Sequence, residues 1–212
     1  MKLMKMLGIA AVAVAGLTAL LGAGSASGSV LCTEPNKQVC PTAKVYDKKT
    51  HGKLTFSERN QKSSIWETTA GTTLDTCTES TWGGSTESVG GEGVPVSVTV
   101  EELTWGGCTT SATTVAKGEL LIEDVKETDN GTVQVKGTEV TVSVSGISCV
   151  FGSASAIDVG TLVGGSEATI AINGVLPKKS GGVLCPEDVR WTAEKVHTDN
   201  MGHPLYLSPA TD

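Results

Sequence analysis

Six cysteines are the residues of this chain best suited to chemistry: Cys32, Cys40, Cys77, Cys108, Cys149 and Cys185. An even set of thiols in an oxidising compartment reads as disulfides, and six thiols allow fifteen pairings. The expected order is sequential, Cys32–Cys40, Cys77–Cys108 and Cys149–Cys185. Each bond would contribute about 2–4 kcal/mol by restricting the unfolded chain. Zinc is disfavoured, because there is no Cys-x-x-Cys pair and His51, His197 and His203 lie at no ligand spacing from the cysteines. The sequence contains neither His-Glu-x-x-His nor a Gly-x-Ser-x-Gly elbow. Glu101-Glu102 and Glu123-Asp124 are adjacent carboxylates, which a strand would turn to opposite faces. Asp129-Asn130-Gly131 offers oxygen ligands for calcium but lacks the rest of an EF-hand loop, so a hairpin turn is the expectation there. No catalytic residue, metal ligand or cofactor is assigned.

Tryptophan is the other candidate for contact chemistry. Thr81-Trp82-Gly83-Gly84 recurs as Thr104-Trp105-Gly106-Gly107 just before Cys108. Two such aromatics could stack on sugar rings, or could simply end strands at glycine turns. Trp105 follows Val100 and Leu103 and is expected to be partly core. Trp82 lies in a Gly-, Ser- and Thr-rich stretch, 79–93, that reads as a loop, so it is the candidate exposed binding residue.

These residues need a scaffold, and the composition describes it. The chain has 212 residues, 39% of them hydrophobic and only 4% aromatic. Its core must rest on Val, Leu, Ile and Ala. The net charge of −7 argues against nucleic acid and against anionic lipid, both of which call for clustered Lys and Arg. Residues 1–26 have the layout of a secretory signal peptide: Lys2 and Lys5, an apolar run from Met6 to Leu21, then small residues up to Ala26. Residues 27–212 would then form one exported domain, with no membrane span left after cleavage.

Alternation of period two runs through Val94, Val96, Val98 and Val100, and again through Val140, Val142 and Val144. Further strands are expected at 120–125, 133–135, 157–163, 168–172 and 189–196, and two short ones within 53–69. A short helix near 58–66 is the alternative for that last stretch. The expected fold is all-β, a sandwich or barrel-like single domain stapled by disulfides.

Cys185-Pro186, Val189-Arg190-Trp191-Thr192-Ala193 and Pro204-Leu205-Tyr206-Leu207 form a closing pattern. Together with Leu103 to Cys108 and Ser148 to Gly152, it resembles segments of uncharacterised secreted actinobacterial proteins. Lys195 departs from the aromatic common there. The resemblance implies an exported, cysteine-paired β domain and no particular activity. The leading expectation is a secreted or cell-surface module that binds an envelope partner or glycan without catalysis. The alternatives are a secreted hydrolase using His51, His197 or His203, and an enzyme inhibitor presenting loop 32–41.

Overall fold

A computed structural model describes residues 28–35, 39–46, 54–57, 64–86, 94–110, 112–116, 118–198 and 204–209; side chains are left undescribed at 55–57, 112–116 and 195–198. In chain order the strands are β1 Ser29–Cys32, β2 Leu54–Ser57, β3 Ser64–Thr68, β4 Thr73–Cys77, β5 Glu79–Ser85, β6 Val96–Gly106, β7 Ala112–Ala116 and β8 Glu119–Asp124. They continue as β9 Gly131–Lys136, β10 Glu139–Val144, β11 Ile147–Gly152, β12 Ile157–Val163, β13 Thr169–Ser180, β14 Asp188–Thr198 and β15 Tyr206–Pro209. The all-β expectation holds. Among the described residues the only helical element is a single 3-10 turn, Thr42–Lys44, and no helix is long and apolar enough to cross a membrane.

Thirteen strands form one antiparallel sheet, and β1 pairs with β15 in a separate ribbon. Following the pairings β14–β2–β5–β6–β8–β9–β12–β13 leads back to β14. Eight strands thus curl into a barrel. At the β14–β2 seam, His197↔Ser57 and Thr198↔Phe56 are in register. The long strands β13 and β14 outrun the barrel. Their far ends carry β3 and β4 on one side and β11, β10 and β7 on the other.

The barrel closes because its strands alternate. Val96, Val98, Leu120, Ile122, Val133, Leu162, Ile170 and Ile172 are all buried, whereas Ser97, Leu121, Thr132, Gln134, Thr161 and Ala171 between them are partly or fully exposed. Polar residues predominate outside, which is the inverse of a lipid-facing barrel, whose outer band is apolar. Val94, expected to open the alternation, lies ahead of β6 and is 53% exposed.

The stretch 79–93 is not all loop. Its first seven residues form β5, which pairs with β6 in a register that explains the internal echo: Glu79↔Gly106, Ser80↔Trp105, Thr81↔Thr104, Trp82↔Leu103 and Gly83↔Glu102. Each copy reads Glu-x-Thr-Trp-Gly, so each glycine faces the other copy's glutamate. A Cβ on Gly106 would come 3.0 Å from Glu79 Oε2, and one on Gly83 would come 3.4 Å from the Glu102 Cβ. The glycines act as seats for side chains across the ladder. Ser64–Trp66 belongs to β3 rather than a helix; the remainder of the helix alternative lies outside the described residues, as do residues 1–26.

The Asn130-Gly131 signal also plays out differently. The β8–β9 connection is the six-residue stretch 125–130, in which the Val125 N–H donates to Asn130 O and the positive φ falls on Glu127 at 64°. Gly131 begins β9. The β1/β15 ribbon docks on this connection. Asp124 N–H donates to Ser29 Oγ at 2.7 Å and Leu207 N–H donates to Asp129 O at 3.1 Å. Leu31, Leu205 and Leu207 join the main core from this side. Gly131 sits where ribbon and barrel meet: an added Cβ would lie 2.3 Å from Leu207 Cδ2 and 2.8 Å from the Glu123 carbonyl oxygen. Gly131→Ala is therefore expected to cost about 1–3 kcal/mol in urea unfolding, the usual range for overpacking.

Candidate functional site

The sequential pairing is present: Cys32–Cys40, Cys77–Cys108 and Cys149–Cys185 are all bonded. Each closes a different part of the fold. The first staples the entry to the ribbon, the second ties β4 to the end of β6, and the third ties β11 to the β13–β14 hairpin.

Trp82 is not an exposed platform. It lies within β5 and is 3% exposed. The reason is parity: Trp82 shares the inward face of β5 with Ser80 and Gly84, all three buried. It joins Trp66, Trp105 and Trp191, so all four tryptophans of the chain form one cluster. Trp191 is central. It stacks on Trp66 at 5.1 Å with planes 8° apart, and lies 4.8 Å from Trp82 and 5.8 Å from Trp105. Its Nε1–H donates to Ser64 Oγ at 2.7 Å. Such offset and edge contacts each add about 0.5–1.5 kcal/mol beyond area burial. Trp105 is partly exposed, matching its expected half-core position.

Beside this cluster, Asp75 on β4 pairs with Trp66 across the ladder and is fully buried. Its Oδ1 accepts from the Thr76 N–H, the Thr109 hydroxyl and the Thr110 N–H at 2.8–2.9 Å. Its Oδ2 is buried with no hydrogen-bond partner among the described residues. Burial pushes this carboxyl up, but the donors from Thr110, Thr109 and Thr76 together outweigh it and hold the group below the ordinary carboxylate range. Asp75 therefore carries its charge at neutral pH. A carboxylate oxygen of Asp75 and the sulfurs of Cys77 and Cys108 lie within 4.8 Å of one another. That spacing would suit a metal, but both sulfurs are engaged in the disulfide.

Among the described residues, the two most exposed large apolar side chains adjoin one another. Val183 is 100% exposed and Leu184 is 62% exposed, at the tip of the β13–β14 hairpin. The Cys185 N–H donates to Gly182 O at 3.0 Å, making a tight turn with Val183 and Leu184 at its two corners. Below the tip, Lys178 N–H donates to Glu187 O at 2.7 Å, and the Lys178 ammonium contacts both the Cys185 carbonyl and the Glu187 carboxylate. Gly181 has φ +136°, and a Cβ there would lie 2.4 Å from Cys185 Sγ. The turn is thus clamped, and its two apolar side chains point to solvent from a fixed base. Sequence reasoning passed over this pair because Gly-Gly-Val-Leu-Cys-Pro has no period; only the Gly-Gly start hinted at a turn.

His51 and His203 lie outside the described residues. For His197 only the backbone is described, in register with Thr169 and Ser57. The hydrolase alternative thus gains no described side-chain geometry. Of loop 32–41, residues 36–38 lie outside the described residues. No family model, curated protein or solved structure matches the chain.

Asp124, at the base of the ribbon's docking site, behaves opposite to Asp75. Burial, and then the neighbouring Asp129 carboxylate, raise its pKa. The favourable contribution of the protonated form is complete below the unfolded value of about 3.9 and is lost as pH rises through the folded value. Asp124→Asn should therefore raise the melting temperature at about pH 7, by less than about 1 kcal/mol of stability given its partial exposure, and make no gain at about pH 3. Melts of both proteins across that range check this.

Proposed function

We propose that this chain is an exported, non-enzymatic binding module, and that Val183 and Leu184 are its contact residues for a cell-envelope protein. The observation that carries this reading is the clamped turn. A wholly exposed Val beside a largely exposed Leu offers adjoining apolar area that a partner would gain free energy by burying. The disulfide and the Gly182–Cys185 turn hold them in place beforehand, which lowers the ordering cost of association.

The partner's chemistry follows from the side chains. Two aliphatic corners with no aromatic face suit a shallow apolar pocket on a protein better than a sugar ring, which calls for a flat indole. With Trp82 buried, the glycan reading loses its candidate residue. The six sulfurs are bonded to one another, and Asp75 is held by three donors. Three closed disulfides and a leader-like N-terminus support an oxidising, extracytoplasmic location. The resemblance to secreted actinobacterial proteins points the same way.

The test uses isolated envelope from the producing cell. Wild-type protein should sediment with it, whereas Val183→Asp/Leu184→Asp should lose most retention, about tenfold or more, while keeping its circular dichroism spectrum. Equal retention of the two proteins, or no retention of either, would contradict the proposal.

A further inference from the structure

Among the three disulfides, only Cys77–Cys108 includes a residue that is not buried. Cys32, Cys40, Cys77, Cys149 and Cys185 are all buried, whereas Cys108 is partly exposed and precedes the exposed Thr109 and Thr110. Access alone would make this the first bond opened by a reductant. Its surroundings argue otherwise. The Asp75 carboxylate stands within 4.8 Å of both sulfurs. Thr76, Thr109 and Thr110 pin one of its oxygens, and the other is buried with no hydrogen-bond partner among the described residues. Thr109 and Thr110 directly follow Cys108, so these bonds also hold Cys108 beside the carboxylate.

We propose that Asp75 is an electrostatic guard of the Cys77–Cys108 disulfide, keeping it closed against anionic thiolates. Reduction proceeds by exchange. A thiolate attacks the Cys108 sulfur, a new S–S bond forms, the old one breaks, and the electron pair leaves on Cys77 as a thiolate. A second thiolate then attacks the mixed disulfide, releasing Cys108 and the oxidised reagent. Negative charge approaches in the first half of the step and develops on Cys77 in the second. A fixed carboxylate at this range opposes both, and unit charges about 4–5 Å apart at an effective dielectric near 20 are worth well over a tenfold change in rate. A neutral nucleophile avoids the repulsion on approach.

The experiment treats native protein with glutathione or with uncharged tris(hydroxypropyl)phosphine, followed by alkylation and mass-spectrometric mapping of the freed thiols. The phosphine should open Cys77–Cys108 first, as its accessibility dictates, while glutathione should not. Asp75→Asn, which keeps the Oδ1 acceptor, should raise the glutathione rate at this bond by about tenfold or more and change the phosphine rate far less. If the variant does not fold, the comparison of the two reagents on native protein still decides. Glutathione opening Cys77–Cys108 ahead of the other two bonds would overturn the proposal. So would a phosphine that leaves this bond until last, or a folded variant with an unchanged glutathione rate.

Discussion

The packing of Trp191 against the other three tryptophans is the contact on which this structure rests. The strand that carries it, β14, belongs to both parts of the sheet: its later half pairs with β2 at the barrel seam, and its earlier half pairs with β3 beyond the barrel. Trp66 comes from β3, Trp82 from β5 and Trp105 from β6. One side chain therefore joins the barrel wall to its extension. The core is otherwise mostly Val, Leu and Ile, with Phe151 and Tyr46 its other buried aromatics among the described residues. Buried aromatics bring about 150–250 Å² each, so four of them gathered in one place concentrate much of the apolar burial there.

The disulfides and the carboxylates act around that centre. Cys77–Cys108 ties the end of β6 to β4 one strand away from Trp66, and Asp75 fixes the Thr109-Thr110 segment that follows. Cys149–Cys185 performs a similar service for the opposite extension and steadies the Val183–Leu184 turn. The fixed geometry of that turn is in this sense a product of the scaffold. An apolar pair on a loose loop would pay an ordering cost on association that this clamped turn avoids.

Much of this was legible in the chain and some was not, for identifiable reasons. Val96, Val98 and Val100 announced their strand because one face is buried and the other wet, the condition under which period two is visible. The sequential disulfides are present, but no local signal dictates them: Cys77–Cys108 joins β4 to the end of β6, strands that are not neighbours in the sheet. Trp82 was misread because Glu-Ser-Thr-Trp-Gly-Gly-Ser has the composition of a turn. What makes it a strand is β6, whose glutamate lies over Gly83 and whose Gly106 receives Glu79, a complementarity visible only once the two copies are set antiparallel. Asn130-Gly131 suggested a tight turn, yet Asn130 Oδ1 instead accepts from the Gly164 N–H at 3.1 Å, a tertiary bond that local propensity cannot foresee. The β1/β15 ribbon joins segments 29–32 and 206–209, far apart in sequence, and carries no local signal of its own.

The most direct test of this account is urea unfolding of Trp191→Ala, followed by far-ultraviolet circular dichroism. The account predicts a loss of about 3–5 kcal/mol, as for other buried tryptophans, with the barrel and its extension weakened together. A loss under about 1 kcal/mol with an unchanged cooperative transition would mean that the junction is held by something other than the tryptophan cluster.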